Sequence, residues 1–328
     1  MTLQEHLQAD APPVAVSAAQ EAVVILMAVY DGAECLGEQL ESFAGQAHDN
    51  WHLLASDDGS GDDSQTLLQG FARGRHGQVT CLEGPGRGAA QNFLFLIRAA
   101  ARRGMAGHWL AFSDQDDVWL PDRLSRGIAA LKAHPANRPA LYCSRTWVTD
   151  HSLKSRRLSA PRPRAPGFRN ALIQNIASGN TILLNPAAAR LVMAAAEEVD
   201  ELVVHDWWVY QLITGAGGAV IHDDTPTLLY RQHAGNLIGA NDRTRARLKR
   251  IRQLLRGDFY GWNDINIKAL EASSHRLTEE NRALLARFAA LRTRGLPTRL
   301  YRLAQLNLYR QTGLATLAMW VAATLRRL

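Results

Sequence analysis

Three carboxylates within four positions are the feature of this sequence best suited to chemistry. Asp114, Asp116 and Asp117 directly follow an apolar run at 109–112 (WLAF). Hard divalent cations such as Mg²⁺ and Mn²⁺ prefer oxygen ligands and commonly bind one or two carboxylates together with substrate phosphates. Carboxylates this close repel one another unless a cation or hydrogen-bond donors offset their charge. A bare Asp-x-Asp pair is more often a solvated turn or a helix N-cap, but the position after an apolar run favours a metal and diphosphate centre.

A second acidic turn, Asp57-Asp58-Gly59-Ser60, follows another largely apolar run at 51–56. The carboxylate of Asp58 could accept a hydrogen bond from a nucleobase N–H or a ribose hydroxyl, as acidic residues at strand ends do in nucleotide-binding folds. The alternative is an Asp-Gly turn chosen for its backbone geometry. The motif alone does not separate these two interpretations.

The glycine-rich segment 84–89 (GPGRGA) matches the G-x-G-x-x-G/A pattern of dinucleotide sites. However, it follows the third predicted strand instead of the first, and no acidic residue stands about 20 positions further on. We therefore expect a flexible loop near a diphosphate, in which Arg87 supplies positive charge, and not a dinucleotide site.

Two clusters with chemical potential lie in the second half of the chain. The first is His205-Asp206-Trp207-Trp208, where desolvation could raise the pKa of Asp206 and suit it to general-base catalysis, while the aromatic rings stack on a sugar. A helix N-cap beside core tryptophans is an equally good interpretation. The second is 230–236 (YRQHAGN), where His233 is either a metal ligand or an ordinary loop histidine. The residue by itself favours the loop histidine.

Alternating strands and helices are predicted to hold these clusters. The unbroken apolar run 22–29 (AVVILMAV) predicts a strand buried on both faces, and 51–56, 79–82 and 108–113 predict three more, with amphipathic helices between them. This order favours a mostly parallel α/β sheet with flanking helices, in which ligands collect beyond the carboxyl ends of the strands. Both acidic clusters lie at such ends.

Further along the chain the pattern becomes less regular and then helical. A strand is predicted over 140–148 and a strand-like hairpin over 175–185, after which Asn185 caps a helix that starts at Pro186. Arginine-rich helices follow residue 241, with Thr278 as the N-cap of one of them.

The composition is that of a globular protein in a reducing compartment. The chain has 328 residues, 47% hydrophobic and 21% charged, which allows a sizeable core and argues against disorder. Three cysteines without a CxxC pair argue against a disulfide framework or a zinc site. The first twenty residues lack the basic start and apolar run of a signal peptide.

Charge is distributed unevenly along the chain. Residues 1–117 carry 6 basic and 16 acidic side chains, whereas the remainder carries 31 basic and 15 acidic ones. A basic C-terminal end suggests an anionic partner surface, either lipid headgroups or nucleic acid. The uncharged stretch 311–325 has only 15 residues, and because a helix needs about 20 to cross a bilayer, we do not expect a span.

Together these segments resemble family 2 glycosyltransferases of the GT-A fold, in particular the rhamnosyltransferase-like members of bacterial surface polysaccharide synthesis. The resemblance runs from about residue 23 to residue 239, and the segment 112–119 (FSDQDDVW) is its most specific part. The other matching segments are 29–32 (VYDG), 56–60 (SDDGS), Asn92, Pro121, 178–181 (SGNT), 205–208 (HDWW) and 230–233 (YRQH).

The resemblance implies roles for particular residues. Nucleotide contacts fall on Ala28, Tyr30, Asp58, Asn92 and Asp114, metal binding on Asp116 and His233, the catalytic base on Asp206, and acceptor or sugar contacts on Trp207, Trp208 and Asn180. The sequence departs from the family at two positions. His205 stands where many members have Glu, and Gln91 stands where many members have a basic residue before Asn92, which puts a diphosphate contact there in doubt.

The resemblance also implies a fold and an activity. We expect an α/β, GT-A type, Rossmann-like and mostly parallel sheet over 22–241, a flexible leader over 1–21, and a basic helical extension over 242–328. The activity is that of an inverting, Mg²⁺- or Mn²⁺-dependent hexosyltransferase that transfers L-rhamnose from dTDP-rhamnose to a glycan or lipid-linked glycan.

The expected location is cytoplasmic, with peripheral contact to the inner membrane through the C-terminal helices and no nucleic-acid partner. Two interpretations of this extension remain. It is either a helix that lies in the membrane interface, or a helical appendage that docks on the catalytic domain or on a second subunit. The alternative functions are a sugar nucleotidyltransferase and a non-catalytic protein that binds membrane or nucleic acid through its basic tail.

Overall fold

The computed structural model describes residues 21–232 and 258–328 of the chain. His233 and all but the last residue of the predicted leader lie outside the described residues. The strands are β1 (Val23–Val29), β2 (Trp51–Asp57), β3 (Val79–Glu83), β4 (Trp109–Ser113), β5 (Val118–Trp119), β6 (Ala140–Thr149), β7 (Arg156–Leu158), β8 (Leu183–Leu184) and β9 (Ala219–Arg231). The helices are α1 (Ala33–Ala44), α2 (Ser64–Arg73), α3 (Ala89–Arg102), α4 (Arg123–Lys132), α5 (Phe168–Ala171), α6 (Pro186–Ala196), α7 (His205–Gly215), α8 (Asp258–Ala272), α9 (Glu279–Arg292), α10 (Leu296–Leu306) and α11 (Gly313–Thr324).

The first half of the sheet is parallel, as the sequence predicts. Its strands run in the order β3-β2-β1-β4, and every neighbouring pair among them is parallel. β1 has six fully buried positions out of seven, which explains why its sequence is an apolar run without alternation. Because the strands are parallel, the segments that follow β1, β2 and β4 emerge at the same edge of the sheet.

The second half of the sheet is mixed and continues in the order β8-β6-β9-β5. β8 is antiparallel to both β4 and β6, whereas β6 and β9 are parallel to each other. The hairpin predicted over 175–185 is wrong: the chain forms a 3₁₀ turn at Gly179–Thr181 and then the two-residue strand β8. Leu183 and Leu184 pair with neighbours on both sides, so no second strand of a hairpin is needed.

Helices cover both faces of the sheet. One face packs on α1, α2 and α4 through residues such as Leu36, Phe43 and Ile128, and the other packs on α3, α6 and α7. Burying one such side chain fully contributes about 1.5–3 kcal/mol. The helix α6 begins as predicted, with Pro186 in its first turn and the Asn185 side chain accepting a hydrogen bond from the backbone N–H of Ala188 at 2.9 Å.

The C-terminal helices pack on the α3–α6–α7 side of the sheet. Leu284, Leu285 and Phe288 of α9 are buried in the same apolar cluster as the residues of α7. The predicted N-cap of α9 is confirmed, since the Thr278 hydroxyl accepts from the N–H of Asn281 at 3.2 Å. Within 21–232 and 258–328, none of the helices combines the length and apolarity needed to cross a bilayer.

Candidate active site

A pocket of about 630 Å³ opens at the carboxyl ends of β1, β2 and β4, between the N-terminal turns of α3 and α7. This volume is typical of sites for small molecules. The pocket brings together most of the residues that were predicted to act from separate parts of the chain. The predicted residues on its wall are Ala28, Tyr30, Asp58, Asn92, Asp114, Asp116 and Asp206.

The acidic loop after β4 contributes two carboxylates to the pocket, those of Asp114 and Asp116. Burial, together with the negative charges of Asp116 and Asp206, raises the pKa of Asp114 to about 7. The loop is held from behind by Arg231, whose Nε donates to the backbone carbonyl of Asp116 at 3.0 Å. A cation between these carboxylates would offset their mutual repulsion.

Asp117 faces away from the pocket and into the protein. Its carboxylate is fully buried, accepts from the Asn180 side-chain amide, and accepts from the backbone N–H of Arg231 at 3.2 Å. Burial together with the charges of Asp116 and Asp114 raises the pKa of Asp117 well above its usual range. Asp117 and Asn180 therefore hold the acidic loop in place from inside the protein.

Gln115, between the two pocket carboxylates, ties the acidic loop to the end of β1. Its Oε1 accepts from the N–H of Tyr30 at 2.7 Å, and its Nε2 donates to the carbonyl of Tyr30 at 2.9 Å. The pair of bonds holds the backbone of Tyr30 while its side chain remains 58% exposed at the mouth of the pocket. Gly32 makes room for this contact, because a Cβ there would lie 2.5 Å from the Gln115 side chain.

Asp58 organises the glycine-rich loop that follows β3. Its carboxylate oxygens accept from the backbone N–H groups of Gly86 at 2.8 Å and Gly88 at 2.7 Å. Both glycines have positive φ, +65° and +84°, which a side chain would make costly. The segment 84–89 is thus held in place by Asp58, and the predicted nucleotide contact of Asp58 stays a prediction.

Asn92 lies in the first turn of α3 and is 1% exposed. Its Nδ2 donates to the backbone carbonyl of Ser56 at 2.9 Å, which joins α3 to the end of β2. Among the described residues its Oδ1 has no hydrogen-bond partner. Since Asn92 also lines the pocket, the helix start and the strand end are fixed relative to each other at the pocket wall.

Asp206 lies in the first turn of α7 and lines the pocket. The helix begins at His205 with Val204 as its N-cap, so Asp206 is not the N-cap residue. Its carboxylate accepts from the N–H groups of Gly179 at 3.0 Å and Trp207 at 2.6 Å, yet burial raises its pKa to about 6. A carboxylate with a pKa slightly below neutrality is well placed to accept a proton.

His205 packs beside Asp206 as a neutral ring. It is stacked on Phe93 with ring centroids 3.6 Å apart, and burial lowers its pKa to about 3. A Cβ at Gly179 would lie 2.7 Å from its Nε2, so this glycine permits the close approach of the two segments. The departure from the family pattern at position 205 therefore places an uncharged aromatic ring next to the carboxylate.

The three residues predicted to contact acceptor or sugar are buried behind the pocket wall, and this role stays a prediction for each of them. Trp207 is 5% exposed, and its Nε1 donates to the carbonyl of Ala171 at 2.7 Å. Trp208 is fully buried, and Asn180 is 1% exposed with its side chain on Asp117. These side chains pack in the apolar core or form hydrogen bonds behind the acidic loop, so they do not line the pocket.

Arg123 is a supporting residue that the sequence does not reveal. It is 2% exposed, stacks over Trp119 at 3.4 Å, and donates to the carbonyl of Asn180 at 2.7 Å and to that of Phe112 at 3.3 Å. Burial lowers its pKa to about 9. In the sequence it looks like a surface arginine at a helix start, and nothing in the spacing signals burial.

The pocket carboxylates fit a divalent cation whose remaining ligands come from the substrate. Within the described residues no group of three or more His, Cys, Asp and Glu side chains is arranged to hold a metal ion. Asp114 and Asp116 supply hard oxygen donors on one wall, and their mutual repulsion is what a cation would relieve. Whether His233 takes part lies outside the described residues.

The sequence profile of Glycosyl transferase family 2 matches residues 24–191, just over half of the chain, and the chain belongs to this family. The matched region contains β1 to β4, both acidic turns and the glycine-rich loop. The predicted family and the predicted GT-A type α/β fold with additional C-terminal helices are confirmed.

Two known glycosyltransferase sequences and one solved structure are similar to this chain. The chain is 25% identical over 240 residues to the dTDP-rhamnosyl transferase RfbG of Shigella flexneri, which covers 71% of this chain and 80% of that protein. It is 28% identical over 109 residues to the UDP-Glc:alpha-D-GlcNAc-diphosphoundecaprenol beta-1,3-glucosyltransferase WfgD of Escherichia coli, covering 33% and 40% of the two chains. The crystal structure of TarS 1–349 of S. aureus in complex with UDP-GlcNAc shares the fold, with a TM-score of 0.53 at 13% identity over 87% of this chain and 80% of that one.

Proposed function

We propose that this protein is an inverting glycosyltransferase that moves a sugar from a nucleotide donor to an acceptor hydroxyl. The observation that carries the proposal is that Asp206 and the pair Asp114 and Asp116 line one pocket at the strand ends. The pair marks the donor diphosphate end, and Asp206 marks the acceptor end. Membership of the family favours this reaction over sugar nucleotidyl transfer.

The residues divide the reaction between them. Ala28, Tyr30 and Asn92 would bind the nucleoside, with Tyr30 offering an exposed ring that can stack on a base. Asp206 would accept the proton of the acceptor hydroxyl as its oxygen attacks the anomeric carbon. The bond from that carbon to the diphosphate breaks, the nucleoside diphosphate leaves from the opposite face, and the anomeric centre inverts in one displacement.

Asp114 and Asp116 would hold Mg²⁺ or Mn²⁺, which when bound supplies positive charge at the leaving diphosphate. The chain's own contribution there is to fix the acidic loop. Gln115 holds the loop to Tyr30, and Arg231 and Asn180 hold its far side. These contacts keep the two carboxylates in place while the donor binds.

The donor that we propose is dTDP-L-rhamnose, on the strength of the long match to RfbG. A glycan or a lipid-linked glycan is the proposed acceptor, and the match to WfgD, a protein named for a diphosphoundecaprenol substrate, supports the lipid-linked form. With that acceptor the enzyme would work at the cytoplasmic face of the inner membrane in surface polysaccharide synthesis.

The test is a donor screen with the purified full chain. We would measure the release of nucleoside diphosphate from dTDP-rhamnose and from several UDP- and GDP-sugars, with Mn²⁺, with Mg²⁺ and with a chelator. The expected result is turnover of dTDP-rhamnose that needs the metal and is lost in Asp116→Asn. The control is Asp224→Asn, which removes an exposed carboxylate of the second half of the sheet. Formation of a nucleoside triphosphate and a sugar 1-phosphate from a donor when pyrophosphate is added, or no metal-dependent turnover of any donor, would overturn the proposal.

A further inference from the structure

The outer side of α11 carries a stripe of exposed apolar side chains. Leu314 is 74% exposed, Leu317 59%, Val321 45% and Leu325, just after the helix, 50%. At 3.6 residues per turn these positions fall within an arc of about 80°. The opposite side of the helix packs inward through Met319, Ala322 and Ala323, which are at most 3% exposed.

This stripe belongs to a larger concentration of exposed apolar groups. In the described part of the chain eight large apolar side chains are exposed, and six of them lie between residues 296 and 325. The two beyond the stripe are Leu296 and Tyr301 on α10. Single exposed apolar residues are ordinary, whereas a contiguous group of them marks an interaction surface.

The charged side chains in the segment that carries the stripe have a single sign. After Glu280 the sequence contains nine arginines and no aspartate or glutamate. Arg292 and Arg299 are buried and serve the helix packing, the first paired with Asp264 and the second bonded to the carbonyl of Arg294. The exposed ones are Arg282, Arg287, Arg294, Arg302, Arg326 and Arg327.

We propose that the α11 face, defined as Leu314, Leu317, Val321 and Leu325 with the adjoining Arg326 and Arg327, docks on an anionic lipid bilayer. A helix with an apolar stripe and cationic flanks lies in the plane of the headgroup region, with its stripe inserted and its arginines on the lipid phosphates. Charge complementarity favours this occupant over a second copy, because the stripe of another molecule would bring arginines against arginines. A nucleic acid would use the arginines and leave the leucines in water.

The helices α9 to α11 are attached to the rest of the protein on the side away from the stripe. These helices are joined to the catalytic part by Arg169, which donates to the carbonyl of Leu306, and by Asn170, whose Nδ2 donates to the carbonyl of Tyr309 at 2.9 Å. The α11 face is therefore a fixed part of the molecule and not a loose tail. The inference extends the proposed membrane location but uses no residue of the pocket, so either can fail alone.

The test is sedimentation of the full-length protein with vesicles of phosphatidylcholine containing about one third phosphatidylglycerol. We expect binding that falls at least tenfold in Leu317→Ser/Val321→Ser. Binding of Arg326→Gln/Arg327→Gln should also fall at least tenfold, and it should lose most of its dependence on anionic lipid. Raising the salt from about 0.1 M to about 1 M, which shortens the Debye length from about 10 to 3 Å, should weaken wild-type binding. Leu67→Ser, at an exposed leucine of α2, is the matched control.

Two further measurements keep the test decisive. Near-UV circular dichroism establishes that each variant is folded, and the arginine pair gives an independent result if the serine pair fails to fold. Donor hydrolysis should stay at the wild-type rate in both pairs, which separates this inference from the catalytic one. Absence of wild-type binding to the anionic vesicles would overturn the inference, as would a wild-type dimer that dissociates in the serine pair.

Discussion

Asp206 combines two hydrogen bonds from backbone N–H groups with a pKa that burial raises to about 6. A general base must be deprotonated, so kcat/KM should be constant above about pH 7 and fall tenfold per pH unit below about pH 6. Asp206→Asn should lower kcat by about 10²–10⁴ and abolish this acidic limb. The rate of nucleoside diphosphate release, measured over a series of pH values for the wild type and the variant, tests both the acidic limb and the loss of kcat. An unchanged limb in the variant would assign it to another group.

Gln115 gives a prediction about donor binding instead of chemistry. Gln115→Ala removes both bonds to the Tyr30 backbone and lets the end of β1 move relative to the acidic loop. We expect the Kd for the nucleoside diphosphate to rise about tenfold, consistent with the loss of two hydrogen bonds of about 0.5–1.5 kcal/mol each. Isothermal titration calorimetry measures the change.

The matched control for this prediction is Gln305→Ala, which truncates an exposed glutamine of α10. Gln115→Asn should behave like the alanine variant, because the shorter side chain cannot reach both backbone groups. A Gln115→Ala protein that binds the nucleotide as tightly as the wild type would show that the clamp does not shape the pocket.

Among the elements, β4, α4 and the turn at Gly179–Thr181 meet at Arg123. Arg123→Ala leaves the carbonyls of Asn180 and Phe112 without their buried donor and removes the charge near Asp117. Removing one partner of a buried charged network costs about 3–5 kcal/mol, so we expect a loss of that size in the free energy of unfolding. Urea denaturation measures it, and Arg102→Ala at the end of α3, whose ion pair with Glu197 is about half exposed on both sides, should cost less than about 1 kcal/mol. Equal losses would contradict the role given to Arg123.

The elements also explain which parts of the fold the sequence could predict. The strands β1 to β4 are largely apolar segments long enough to be recognised, and β1, β2 and β3 are each followed by a helix with a 3.6-residue pattern. The strands β5 and β8 have two residues each and are defined by neighbours far away in sequence, so no local periodicity exists to find them.

The same distinction holds for the candidate site. Five of its predicted residues reach the pocket because they lie at strand ends, which converge in any parallel sheet: Ala28, Tyr30, Asp58, Asp114 and Asp116. Asn92 and Asp206 reach it from the first turns of α3 and α7. Contacts with residues far away in sequence determine where the other predicted residues lie. Trp207 and Trp208 are buried in the core, and the Asn180 side chain donates to Asp117. The importance of Gln115 was also hidden, because its bonds go to backbone atoms, which look alike in every sequence.

For the whole molecule, the described C-terminal helices and the sheet share one apolar core. Thr278 donates its N–H to the carbonyl of Gly215 at 3.0 Å, and Arg276 pairs with Glu198 at 2.6 Å. We therefore predict that a chain ending at residue 257 exposes the outer side of α7 and aggregates, whereas one lacking residues 1–20 stays monodisperse. Light scattering and binding of a hydrophobic dye would compare them. A monomeric, cooperatively unfolding 1–257 chain would instead establish an independent domain before the helical extension.

The room that Gly32 leaves for Gln115 couples two positions of the chain that are 83 residues apart. The backbone at Gly32 is unstrained, with φ at −109°, so the requirement is for space alone. Alanine at 32 would push the amide off Tyr30, and a shorter side chain at 115 would remove the clash but also the clamp. In related sequences these two positions should therefore covary, with glycine accompanying a long amide and larger residues accompanying short ones.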